Sequence, residues 1–155
     1  MTRARNVSRR MEGVIAALAT TDPLPLTPEN LDAVREVVMR LWRERAAERL
    51  LPDPLDLSGS CKFSSMLVSA LFGLEMRGNE DHQFCVTAEG EVIDLNAGAE
   101  DVRIIHLPHR HDPAFWGCGH HAQSLGTCLP RVLRWAETAR REIAENASSP
   151  SNSCC

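Results

Sequence analysis

Two short β-prone runs in the middle of the chain, residues 82–88 and 91–97, are separated only by the pair Glu89-Gly90. A turn this short joins antiparallel neighbours, because parallel strands need a crossover connection of a dozen or more residues. A third β-prone run, VRIIHL at residues 102–107, follows soon afterwards. The sequence therefore predicts a small antiparallel sheet in the second half of the chain.

Helical periodicity covers much of the remaining sequence. The clearest helix is predicted over residues 28–50, where Thr27 can act as the N-cap, Pro28 takes the first helical position and an apolar stripe follows. Residues 61–74 predict a helix with large apolar residues on one side and serines on the other, so this helix can be almost completely buried. Two further helices are predicted, over residues 3–20 and 129–147.

The order of these segments indicates the fold class. Helices come first, the β-prone runs follow, and one helix closes the chain, which is typical of an α+β fold with an antiparallel sheet packed on a central helix. A chain of 155 residues fits a single hydrophobic core. We therefore predict one domain over residues 1–147 and a flexible polar tail over residues 148–155, which ends in Cys154 and Cys155.

The composition argues against several classes of partner. The formal net charge of −4 gives no general attraction to nucleic acid or to anionic membranes. The chain has no tyrosine and only 5% aromatic residues, too few for a nucleic-acid reader built on base stacking. Apolar runs are too short for a membrane span, and Glu12 interrupts the arginine-led N-terminus. We expect a chain that is cytoplasmic, or exported without a cleaved signal peptide.

The chemistry suggested by the sequence centres on Cys61, His82 and Asp94. Cys61 lies at the predicted start of the 61–74 helix, where the aligned peptide dipoles favour a thiolate. A cysteine nucleophile also needs a base within hydrogen-bonding reach. His82 opens the first predicted strand and Asp94 lies in the second, so both are candidates for a catalytic triad with the cysteine.

The predicted hairpin would bring the histidine and the aspartate together. With the turn centred on residues 89–90, Gln83 would face Asn96. His82 and Asp94 would then be one diagonal step apart, close enough for an imidazole–carboxylate hydrogen bond. An aspartate on a half-apolar strand needs such a partner, because a buried charge without one is costly.

Three stretches, SGSCKFSS, DHQFCV and GEVIDLNA, resemble the papain-like cysteine hydrolase superfamily, and most of all its transglutaminase-like branch. Members of that branch have a Cys–His–Asp triad in this chain order, with the histidine and the aspartate on neighbouring antiparallel strands. The resemblance covers about residues 55–107. It implies a thiol-dependent hydrolase or acyltransferase, without a cofactor, that acts on a peptide bond or a glutamine amide of a protein. Small bacterial effectors and toxins with this fold carry out such reactions.

The donors of an oxyanion hole are less evident in the sequence. The papain branch commonly uses a glutamine a few residues before the cysteine, and the LDLSG stretch contains none. We therefore name three candidates, which are the backbone amide of Cys61 and the side chains of Asn79 and Gln83.

An alternative zinc site is suggested by a His-rich segment, because imidazole and thiolate are zinc ligands. Five of the six histidines lie within residues 106–121. The candidate ligands are His106, His109, His111, Cys118 and His120, with His121 and Cys128 nearby. The segment contains neither a paired CxxC nor an HExxH motif, so our main expectation is that no metal is bound.

A second alternative is a non-catalytic protein-interaction module of the same fold. The predicted helix over residues 28–50 carries arginine and glutamate on the side opposite its apolar stripe, and this side would form the contact surface. In that case the replacement of Cys61 by alanine would leave the biological activity intact.

Overall fold

The structure is a computed structural model that describes residues 2–149. Over this range the chain forms six helices and three strands. In chain order they are α1 Thr2–Leu18, α2 Pro28–Glu48, α3 Cys61–Phe72, β1 Glu75–Gly78, β2 Gln83–Val86, β3 Val92–Ile93, α4 Glu100–Arg103, α5 Pro113–Trp116 and α6 Gly119–Ser148. The tail predicted over residues 148–155 lies almost entirely outside the described residues, Cys154 and Cys155 included.

Helix α2 begins at its capping residues. The Thr27 hydroxyl oxygen accepts a hydrogen bond from the Asn30 N–H at 3.2 Å, and Pro28 is the first residue of the helix. Val34 and Val38 are both 0% exposed, so the apolar stripe of the helix faces the core. The helix ends at Glu48, slightly before the predicted end at residue 50.

Helix α3 lies at the centre of the fold, in contact with α1, α6, β1 and β2. Nine of its twelve residues are buried, including Ser64 and Ser65, whose small side chains let neighbouring elements approach closely. The helix ends at Phe72 and not at the predicted residue 74, because Gly73 adopts a left-handed conformation with φ of 68°. The fold is therefore α+β, with a small antiparallel sheet packed against a largely buried helix.

The sheet has three antiparallel strands in the order β1-β2-β3. The first of them, β1, was not predicted. The second predicted strand, over residues 91–97, is reduced to the two residues of β3, because residues 95–98 form a turn. Asp94 consequently lies directly after a strand, not within one.

The observed register differs from the predicted one by a single residue. Cys85 pairs with Ile93 and Val86 pairs with Val92. Directly opposed residues share a face of the sheet, and side chains alternate along each strand, so a slip of one residue moves a side chain to the other face. The predicted register was wrong, and the observed one is what puts Asp94 on the same face as Val86 and His82.

The strand predicted over residues 102–107 is also wrong, because Glu100–Arg103 forms the short helix α4. Its first N–H groups are bound by side chains from a distant loop. The Glu100 N–H donates to Asp56 Oδ2 at 2.8 Å, and the Asp101 N–H donates to Ser58 Oγ at 3.3 Å. These bonds stabilise a helical start that local β propensity opposes, and they fasten α4 to the loop that precedes Cys61.

Helix α6 begins at Gly119, well before the predicted start at residue 129, and carries Pro130 in its interior. A proline inside a helix costs about 3 kcal/mol, since it removes a backbone hydrogen bond. Ala122 and Leu125 lie before the proline and are 1% and 0% exposed, so their packing against the core offsets this cost. Within residues 2–149 every helix, α6 included, is too short or too polar to cross a lipid bilayer.

Candidate active site

Cys61 is the first residue of α3 and is half-buried. Ser60 precedes it at the N-cap position, but the Ser60 hydroxyl donates to the Leu57 carbonyl at 2.7 Å and does not cap the helix. The first N–H groups of a helix have no carbonyl partner within the helix. Beside the Cys61 thiol, the partial positive charge of these amides favours an anion.

A turn built on Asn79 sets the position of His82, which lies directly before β2. Asn79 Oδ1 accepts hydrogen bonds from the backbone N–H groups of Asp81 and His82, both at 2.9 Å. The Asn79 N–H in turn donates to the His82 carbonyl at 3.0 Å. These bonds hold the connection between β1 and β2 tightly closed, and His82 is left only 2% exposed.

Asp94 binds one nitrogen of the His82 ring. His82 Nε2 lies 2.7 Å from Asp94 Oδ2, and the two side chains are 1% and 4% exposed. The other carboxylate oxygen, Oδ1, accepts the backbone N–H of Asn96 at 2.9 Å. Burial opposes ionisation of Asp94, but the hydrogen bonds from His82 and His109 outweigh it and hold the pKa of Asp94 below its usual range. An ionised carboxylate is therefore fixed behind His82.

The other ring nitrogen of His82, Nδ1, remains for the thiol of Cys61, which lies close enough to the ring to favour its protonation. Burial opposes protonation of His82, but the hydrogen bond to Asp94 and the neighbouring Cys61 outweigh it and raise the pKa of His82 to about 9. At neutral pH His82 is accordingly an imidazolium, which is the form that stabilises a neighbouring thiolate. The structure thus brings Cys61, His82 and Asp94 together.

Asn96 is a positioning residue that the sequence reasoning missed. It is 0% exposed, and its Nδ2 donates to the Leu57 carbonyl at 2.8 Å and to Ser60 Oγ at 3.0 Å. Because its backbone N–H also binds Asp94, Asn96 ties the carboxylate to the loop that leads into Cys61. Its only signal in the sequence is a polar side chain in a run that was predicted to be a strand.

A second histidine, His109, shares the carboxylate. His109 Nε2 lies 2.9 Å from Asp94 Oδ2, the oxygen that also binds His82. The His109 ring packs edge-on against Phe84, with 5.1 Å between the ring centroids. His109 comes from the irregular segment between α4 and α5, and its side chain is 33% exposed. The sequence placed His109 only in the zinc alternative, because no local pattern predicts where such a loop folds back.

Comparisons with protein-family models, with curated proteins and with solved structures found no match for this chain. The papain-like resemblance therefore stays a prediction that depends on three short motifs. The geometry of Cys61, His82, Asp94 and the residues around them is therefore the basis for a proposed function.

The zinc site suggested for the His-rich segment is not assembled. Among the described residues, four of its five candidate ligands have no two further ligand side chains close enough to share an ion with them. These four are His106, His111, Cys118 and His120. The fifth, His109, does have two such neighbours, but these are His82 and Asp94. The segment therefore contributes one imidazole to the candidate active site and does not form a separate metal centre within residues 9–149.

Two of the three oxyanion candidates are engaged elsewhere. Asn79 Nδ2 donates to the Arg110 carbonyl at 3.0 Å. Gln83 is 2% exposed, and its Nε2 donates to Ser65 Oγ at 2.6 Å, inside the core. The backbone amide of Cys61 remains, at the positive end of α3, where a developing oxyanion would be stabilised.

Proposed function

We propose that this chain is a thiol-dependent hydrolase or acyltransferase that acts on a peptide bond or on a glutamine amide of a protein. The observation that carries the proposal is the 2.7 Å bond between His82 Nε2 and Asp94 Oδ2, with the Cys61 thiol close enough to the same ring to raise its pKa. A nucleophile, a proton carrier and an orienting carboxylate are the groups that nucleophilic amide cleavage needs. We call these three residues the proposed triad.

We also infer that the fold is papain-like, of the transglutaminase-like branch. Two features support this inference. The helix that begins at Cys61 is central and largely buried. It packs against β2, and the hairpin of β2 and β3 is flanked by the other two members of the proposed triad.

In the first half-reaction the sulfur of Cys61 attacks the amide carbonyl carbon while His82 holds the proton that the thiol has lost. A carbon–sulfur bond forms, and the carbonyl oxygen becomes negatively charged beside the Cys61 amide. His82 then transfers its Nδ1 proton to the leaving nitrogen. The carbon–nitrogen bond breaks, an amine or ammonia departs, and a thioester remains on Cys61.

In the second half-reaction an acceptor resolves the thioester. Neutral His82 takes a proton from the acceptor as the acceptor attacks, and it returns that proton to the sulfur when the thioester breaks. Asp94 keeps Nδ1 of His82 turned toward Cys61 and stabilises the imidazolium. Water as the acceptor gives peptide hydrolysis or glutamine deamidation, whereas a primary amine gives transamidation.

The reactivity of Cys61 toward iodoacetamide tests the activated thiol. Cys61, Cys118 and Cys128 are all free and half-buried, so exposure alone predicts similar rates of alkylation. We expect Cys61 to be modified at least about tenfold faster than the other two at about pH 6, as followed by mass spectrometry of peptides. Equal rates for the three thiols would contradict an activated Cys61.

The reaction itself is tested with an unfolded reporter protein and three readouts. New peptide termini report hydrolysis, released ammonia reports deamidation, and incorporation of a fluorescent primary amine reports transamidation. We expect Cys61→Ala to abolish the product, while Cys118→Ala, a matched control outside the proposed triad, retains it. Full biological activity in Cys61→Ala would identify the chain as a non-catalytic interaction module instead.

A further inference from the structure

We infer that His82, Asp94 and His109 form a binding site for one Zn²⁺ ion, and that the bound ion switches off the proposed thiol chemistry. The three ligand atoms are two imidazole nitrogens and one carboxylate oxygen, all within 4.8 Å of one another. The site stands on geometry alone. Only its inhibitory effect rests on the proposed function.

The donor atoms and their spacing suit zinc. Zn²⁺ binds imidazole nitrogen and carboxylate oxygen at about 2.0–2.2 Å, which places two ligand atoms of a tetrahedral ion about 3.4 Å apart. The Nε2 atoms of His82 and His109 lie 2.7 and 2.9 Å from Asp94 Oδ2. To admit the ion, the nitrogen–oxygen distance therefore has to increase by about 0.7 Å at His82 and by about 0.5 Å at His109. Three protein ligands leave one coordination position for water.

Two of the ligands are buried and oriented by their neighbours, and the third is exposed enough to move further. The side chains of His82 and Asp94 are 1% and 4% exposed, and the Asn96 N–H orients the carboxylate through its second oxygen. Such outer hydrogen bonds orient metal ligands in proteins. His109 lies in an irregular segment with its side chain 33% exposed, so it can move away from Asp94 and leaves a path for the ion from solvent. The His82–Asp94 pair has to widen through a small shift of the shared carboxylate oxygen.

An ion at this site would block the proton transfers of the proposed triad. Zn²⁺ bonds to the lone pair of His82 Nε2 and displaces the proton there to solvent. The neutral, metal-bound imidazole then carries its single proton on Nδ1, the nitrogen that faces Cys61. With no lone pair on Nδ1, His82 cannot take a proton from the thiol or from the water that attacks the thioester.

Binding is tested on the full chain, purified without a histidine tag, freed of metal with a chelator and titrated with Zn²⁺ against a chromophoric chelator. We expect one ion per chain, and we expect His109→Gln to weaken the affinity at least about tenfold. His106→Gln, the same change in the same segment, keeps the wild-type affinity. X-ray absorption at the zinc edge then shows nitrogen and oxygen ligands and no sulfur at about 2.3 Å.

Inhibition is measured as the loss of product formation from the reporter protein at increasing Zn²⁺ concentration. We expect half-inhibition of His109→Gln to need at least about tenfold more zinc than half-inhibition of the wild type. Absence of saturable binding, sulfur in the coordination shell, or unchanged affinity in His109→Gln would overturn the site. Saturable binding without loss of turnover would overturn the inhibitory role alone. A metal-free chain with no product in any readout counts against the proposed function, and the binding and absorption measurements still decide whether the site exists.

Discussion

Two histidines of this chain are almost equally buried, and their pKa values shift in opposite directions. His82 is 2% exposed and faces Asp94, and despite its burial the pKa is raised to about 9. His121 is 4% exposed and lies in the first turn of α6. Its ring packs against both Phe115 and Trp116, with centroid distances of 4.1 and 4.9 Å, and burial lowers its pKa to about 4.

The difference shows that the partner of a buried imidazole, more than its depth, sets its charge. Neither nitrogen of His121 has a hydrogen-bond partner among the described residues, so no partner offsets the desolvation of its charged form. At His82 an ionised carboxylate 2.7 Å away more than offsets the same penalty. One region of the molecule therefore holds an imidazolium at neutral pH, and the other holds a neutral ring that packs as an aromatic side chain.

Removal of the Asp94 carboxylate should shift the pKa of His82 downward, in the direction seen at His121. This is the largest effect that we predict. In Asp94→Asn the imidazolium loses its charged partner, so the rate of Cys61 alkylation at about pH 6 should fall at least about a hundredfold. Asp81→Asn makes the same change on an exposed side chain next to His82 in sequence, and it should leave the rate unchanged. Peptide mass spectrometry over a time course measures both rates.

The Asp94 carboxylate also accepts the Asn96 N–H, so a structural loss has to be separated from a chemical one. Urea unfolding of Asp94→Asn beside the wild type provides that separation, because a folded variant with slow alkylation has lost reactivity and not structure. Alkylation of the folded variant within about threefold of the wild-type rate would show that the carboxylate does not control the thiol.

The downward pKa shift at His121 predicts a loss of stability in acid. The unfolded chain takes up this proton near pH 6.5, whereas the folded chain resists it until about pH 4. Between these values the unfolded state binds more protons, so the free energy of unfolding falls as the pH falls through this window. We expect a total loss of about 3 kcal/mol, measured by urea unfolding at a series of pH values.

His121→Phe isolates this contribution. A phenyl ring can pack against Phe115 and Trp116, and it removes both the titrating group and the unpaired nitrogens. Any packing cost of the larger ring is independent of pH. All other titrating groups are common to the two chains, so the variant should gain stability relative to the wild type as the pH falls. A constant difference across the window would contradict a buried, neutral His121.

The His82–Asp94 pair could be predicted from the sequence because its signal is local, one short turn between two β-prone runs. The proximity of Cys61 to this pair was an expectation from the resemblance to the transglutaminase-like branch. The register still came out one residue wrong, because the loop has three residues, 88–90, and not two. The Thr87 N–H donates to the Glu91 carbonyl at 2.9 Å, and Gly90 adopts a left-handed conformation with φ of 87°. The role of Asn96 and the contact of His109 with Asp94 were missed because they join distant segments, such as Asn96 with the loop before α3.

The prediction of secondary structure was wrong at two places where tertiary contacts outweigh local propensity. Residues 102–107 read as a strand, but Asp56 and Ser58 bind the N–H groups that begin a helix at Glu100. The first turns of α6 contain glycines and histidines and lie before Pro130, so the sequence predicted no helix there. The burial of Leu125 stabilises these turns through contacts that no local pattern contains.

His109 provides the smallest expected effect and a direct comparison with His82, because both rings bind the same oxygen of Asp94. In chelator-treated protein, His109→Gln should slow Cys61 alkylation about fivefold, which corresponds to one hydrogen bond of about 1 kcal/mol. His82→Gln removes the ring that faces the thiol, so it should slow alkylation at least about a hundredfold. His106→Gln serves as the control for the substitution itself.

A loss in His109→Gln as large as that in His82→Gln would mean that Asp94 cannot orient His82 without a second imidazole. The catalytic set would then have four residues and not three. Zinc bound to His109 would inhibit it in two ways, because His82 would lose its orientation and its Nδ1 would keep a proton. The expected fivefold loss instead makes Asp94 and His82 sufficient, since the shared oxygen keeps its bond to the buried ring. The exposed ring would then remain available for the metal, because the chemistry at Cys61 depends on it only weakly.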